Sequence, residues 1–110
     1  MIVTFSLDGL EFTALNGGPQ YKFSPAISFF VNCETQEEVD ELWEKLSEGG
    51  DRLQCAWLRD KYGVSWQIVP SALRQLMQDK DPLKSQRVFR AILQMSKIDI
   101  EGLKRAYRGE

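Results

Sequence analysis

The sequence predicts an α+β domain: a mixed, strongly curved sheet with one helix on its outer face and a helical tail. Three observations carry this. Alternating apolar segments flank Asp8-Gly9 near the start, a strong two-residue hairpin signal. A capping box opens a helix at Thr35, between strand-like segments on either side. After Pro70 the strand pattern stops, and apolar residues recur only at helical spacing.

Taken in order, Ile2 to Leu7 and Leu10 to Leu15 form the hairpin, with Val3, Phe5 and Leu7 on one face. Asn16-Gly17-Gly18-Pro19 ends it. Residues 20–25 are a linker whose aromatics, Tyr21 and Phe23, are expected to dock on the domain or line a cleft. Ala26 to Cys33 is a strand whose near-continuous apolarity predicts burial on both sides. Thr35 caps the helix, with Glu38 reaching back, and Val39, Leu42, Trp43 and Leu46 make its apolar stripe. Gly49-Gly50 stops it. A strand over 53–59 then turns through Asp60-Lys61-Tyr62-Gly63 into a second over 64–69, where Trp66 and Ile68 alternate with Ser65 and Gln67. Ser71 is read as the cap of a short helix carrying Leu73, Leu76 and Met77. Asp81-Pro82 starts a longer helix with Val88, Phe89, Ile92 and Leu93 as its stripe, and Asp99 caps a last one over 100–107.

Composition narrows the function classes. A chain of 110 residues makes one domain, and 43% apolar with 27% charged residues is globular composition. Fourteen basic against sixteen acidic residues argue against a nucleic-acid partner. Lys97, Lys104, Arg105 and Arg108 are interleaved with acids and read as a solvated helical face. No apolar run reaches membrane-span length, so no membrane partner is expected. The only two cysteines, Cys33 and Cys55, lack metal or redox spacing and read as structural thiols in a cytoplasmic protein. Histidine is absent, which removes imidazole bases and the ordinary zinc or iron site.

The order Asp60, Gly63, Trp66, Gln67 resembles the last strand of a βαβββ module in the vicinal oxygen chelate superfamily, the glyoxalase and bleomycin-resistance group. Leu15 to Pro19, Ala26 to Phe29, the 35–50 helix with its Glu-Gly-Gly end, Cys55 to Leu58, Asp60 to Pro70 and Leu93 to Ile100 resemble the PhnB-like branch. That branch is also called the 3-demethylubiquinone-9 3-methyltransferase domain family. The resemblance divides the single domain into a hairpin from the first module (1–18), a second βαβββ-type module (26–70) and the tail (71–110). It also implies that the first β-α-β of a complete domain is missing, either truncated or supplied by another copy.

In metal-using relatives a His often begins the strand where this chain has Ala26, and a Glu follows the Trp where it has Gln67. No metal is therefore expected. No cofactor is expected either: the methyl transfer in the family's description needs a glycine-rich strand-to-helix turn followed by an acid, and none is present. The candidate ligand-binding residues are Ser28 and Gln67 as hydrogen-bonding groups, with Trp57, Trp66 and Phe29 as apolar walls. Against this stands the plain reading that they are sheet and core residues. Two functions follow: a dimeric small-molecule-binding protein or non-metal enzyme, or a non-catalytic assembly module. In both, the partner is a second copy, because a lone hairpin with a free edge is marginal.

Overall fold

The computed structural model describes all 110 residues. Asp8 and Gly9 both take positive φ (50° and 80°), as a primed two-residue turn demands. They join β1 (Ile2–Leu7) to β2 (Leu10–Leu15), with Phe5 opposite Phe12 and Leu7 opposite Leu10. This register puts Val3, Phe5, Leu7, Leu10, Phe12 and Ala14 on one face of the hairpin. Of the hairpin strands' residues only Phe12 is even half-buried.

The remaining strands are β3 (Ser28–Cys33), β4 (Asp51–Arg52), β5 (Trp57–Arg59) and β6 (Ser65–Pro70), in the spatial order β3-β6-β5-β4. β3 runs parallel to β6, which requires a crossover, and α1 (Gln36–Ser47) is part of it. The Thr35 hydroxyl accepts from the Glu38 N–H at 3.2 Å, and Glu37 and Glu38 lie where the helix dipole favours acids. Val39 and Trp43 of α1 pack with Cys33, Leu58 and Ile68 to form one core. At Gly50, where helix gives way to β4, an added Cβ would lie 2.1 Å from the Arg59 carbonyl oxygen, so only glycine fits.

The tail contributes α2 (Ser71–Met77), α3 (Pro82–Leu93) and α4 (Ile100–Arg108). Val88, Ile98 and Leu103 bury Val69 and Ala56 in a second core. Val69 and Ile68 are neighbours on β6, so the two cores lie on opposite faces of the sheet. Gln36 ties tail to α1: its amide donates to the Ile98 carbonyl and to Asp40 (2.9 Å each), and its oxygen accepts from the Ile100 N–H at 2.7 Å. Arg87 donates to the carbonyls of Ala106 and Tyr107, and the Tyr107 hydroxyl donates to Asp79.

Four expectations need correction. Residues 53–56 are not strand: Cys55 and Ala56 take left-handed φ (59° and 76°), and their N–H groups donate to Met95 and Ser96 of the tail instead of a ladder. β3 is not buried on both sides; it is an edge strand, with Phe29 37% and Phe30 50% exposed. Ser71 is the first helical residue, and Pro70 holds the cap position without a side-chain bond. Glu38 does not reach back to the Thr35 N–H: only the half of the capping box from the Glu38 N–H to the Thr35 hydroxyl is made. The chain is elongated, 53 × 26 × 23 Å, with a radius of gyration of 16.2 Å. A compact chain of this length would have about 13 Å.

Candidate functional site

The face of the sheet opposite α1 is closed at one end by the tail and open at the other. Register places Phe30 and Trp57 either side of Gln67, and Ser28 beside Ser65. All these side chains point to the open face. The Gln67 amide donates to the Ser28 hydroxyl at 2.9 Å, and both residues are half-buried. Trp57, also half-buried, flanks Gln67 on the β5 side. The Arg74 guanidinium of α2 sits over the Phe30 ring, 5.8 Å from its centre. Of the four candidate residues, Ser28, Trp57 and Gln67 therefore come together. Phe30 and Ser65, which sequence reasoning did not select, share their face; their two-residue spacing from Ser28 and Gln67 was the signal for them.

Trp66 and Phe29 lie on the α1 face instead, because they alternate with Gln67 and Ser28. Trp66 packs against the α1 core, and its ring centre is 5.1 Å from that of Phe29. Its indole N–H donates to Asp60 Oδ2 at 2.9 Å. Asp60 Oδ1 accepts from the N–H groups of Tyr62 (2.9 Å) and Val64 (3.0 Å). Gly63 takes φ 93° to close this turn. Phe29 meets Phe12 edge-on at 5.6 Å, and Phe12 stacks on Phe5 at 5.7 Å. An aromatic chain thus runs from the Asp60 turn into the hairpin.

The residues do not fit a bound metal or a nucleotide-like methyl donor. Nowhere do three His, Cys, Asp or Glu side chains gather, and Ala26 and Gln67 hold the expected ligand positions. The parallel-strand-to-helix junction reads Cys33-Glu34-Thr35, with no glycine and with Glu37 and Glu38 in the helix's first turn. An anionic group would meet like charge there. Burial pushes the Cys33 thiol above its ordinary range, and Glu38 and Glu34 add to this. A thiol so placed is a poor nucleophile. Both cysteines are free, and no helix is long and apolar enough to cross a membrane.

A mixed sheet carrying a crossover helix on one face, with helices grouped at one end of the other, defines a glyoxalase-like α+β protein. The profile of the family described as 3-demethylubiquinone-9 3-methyltransferase matches residues 1–69. The chain belongs to this family, in its PhnB-like form. Among solved structures it is similar to a PhnB protein from Bacillus cereus, provisionally described as a 3-demethylubiquinone-9 3-methyltransferase. The identity is 38%, the TM-score 0.58, and the match covers 64% of each chain. The matched part thus spans just under two thirds of that protein. No curated protein matches.

Proposed function

We propose that the chain is a homodimeric small-molecule-binding protein of the vicinal oxygen chelate type. Its ligand floor is the Ser28–Gln67 pair with Trp57 and Phe30 beside it, and its hairpin is the contact with the second copy. The observation that carries this reading is the hairpin's bare apolar face. Val3, Phe5, Leu7 and Leu10 are 42–63% exposed although all lie on one side of β1 and β2. Such an uncovered apolar strip on a hairpin with a free edge is the kind of surface that marks a protein contact. A second copy resolves it by symmetry, each hairpin covering the other's open surface.

The floor, for its part, is a satisfied hydrogen-bond pair in an apolar setting, suited to a small ligand with one or two polar groups. Methyl transfer has no support among the residues. The two free thiols suit a cytoplasmic setting.

Sedimentation equilibrium at low micromolar concentration tests the dimer. The wild-type chain should run as a dimer and Leu10→Glu as a folded monomer; a wild-type monomer with cooperative unfolding sinks the idea. A thermal-shift screen of small metabolites, with and without divalent cations, tests binding. Hits independent of metal support it, and a blank screen favours the assembly module, in which the Ser28–Gln67 pair is purely structural.

A further inference from the structure

A cleft of about 300 Å³ opens where the 20–27 linker crosses the starts of β3 and β6, lined by Lys22, Phe23, Ser24, Ala26, Ile27, Val64 and Ser65. We infer that this cleft, and not the Gln67 floor alone, binds the ligand's head: a small monocarboxylate with a compact apolar body, its carboxylate shared between Lys22 and the Ser65 hydroxyl. The inference rests on the small-molecule reading and names its ligand class.

Three features support it. Ser65 is only 3% exposed, yet its side chain enters none of the hydrogen bonds of the fold. No fully enclosed side-chain polar atom in the chain lacks a partner, so this hydroxyl is the part of Ser65 that reaches the cleft. With no partner inside the protein, that hydroxyl is free to bond a ligand oxygen in place of water. Lys22 is one of the eight basic residues, out of fourteen, that enter none of the chain's salt bridges. The lining has no carboxylate to neutralise it. Lastly, the walls are apolar: Phe23, Ala26, Ile27 and Val64 line the cleft, and Phe23 packs within 3.9 Å of where a Gly63 side chain would start.

One cation, Lys22, matches a single negative charge. A phosphate dianion would call for further cations, and Lys22 is the only one in the lining. The volume is at the small end for ligand sites, about that of a ring or a short branched chain.

The test is a ¹⁵N-resolved NMR titration of the full chain with benzoate and its neutral isostere benzamide. Benzoate should shift the amides of 22–27 and 64–65 saturably below ~20 mM, with benzamide roughly tenfold weaker. Lys22→Gln should erase that difference, and Ser65→Ala should weaken both ligands several-fold. Ala26→Trp, which fills the cleft from an exposed position, should abolish binding even if Ser65→Ala proves poorly folded. Equal binding of the two ligands, or no saturable shift at 22–27 and 64–65, overturns the inference. Saturable shifts confined to Ser28, Trp57 and Gln67 overturn this cleft while leaving the small-molecule reading intact.

Discussion

Replacing Asp60 by Asn separates the two duties of one carboxylate. Asn keeps an oxygen for the N–H groups of Tyr62 and Val64 but turns an NH₂ toward the Trp66 indole N–H, donor against donor. A hydrogen bond to a charged acceptor contributes about 1.5–3 kcal/mol, and a stranded buried donor costs a similar amount. Both groups are half-buried, so water recovers part of this, and we expect a loss of about 1.5 kcal/mol. Ala should cost about 3 kcal/mol, since two backbone donors also lose their acceptor. Urea denaturation at one fixed protein concentration measures this, because dimerisation would make stability depend on concentration. In a Trp66→Phe background the Asn penalty should nearly vanish. An Asn variant within about 0.3 kcal/mol of wild type, or an equal penalty in both backgrounds, would refute the indole bond.

Other outcomes follow from the same structure. Gln36→Ala should loosen the tail, with faster amide exchange at Ile100 and Leu103 and little change in β6. Cys33 is held neutral in the fold by burial, so its contribution is intact below the ordinary thiol value of 9.0. It declines as pH rises from there toward the higher folded value, and Cys33→Ala should flatten that alkaline slope in pH-dependent melting. Asp40 shows the opposite sign: Gln36 and then Lys97 hold its carboxyl below 3.8. Its contribution is present above 3.8 and lost as pH falls through the lowered value, so Asp40→Asn should flatten the acid limb. Trp43→Ala empties the centre of the α1 core and should cost about 3–5 kcal/mol by denaturant titration.

Much of the fold was legible because the signals were local. Asp8-Gly9, the Thr35 box and the Asp60–Gly63 turn each specify their own geometry within a few residues. Where pairing partners decide, the reading faltered. Apolarity along 26–33 looks the same for a buried strand as for an edge strand awaiting a partner. Nothing local warns that Cys55 and Ala56 adopt left-handed φ, because what holds them there is the 95–96 turn of the tail. For the candidate site, alternation already separates Trp66 from Gln67. That Trp57 stands opposite Gln67 needs the β5–β6 register, and the cleft beside Ser65 needs the path of the linker.

The topology also sets an order of events as the chain is made. β1 and β2 are neighbours in sequence and can pair as soon as residue 15 is free. Ser28 must wait for Ser65, and the left-handed pair at 55–56 must wait for Met95 and Ser96. The hairpin's apolar side can therefore form before the β3–β6 sheet exists to receive it. In the homodimer proposed above, two nascent chains on one messenger would meet hairpin first. Assembly that begins between neighbouring ribosomes would shield that surface earlier than release followed by diffusion.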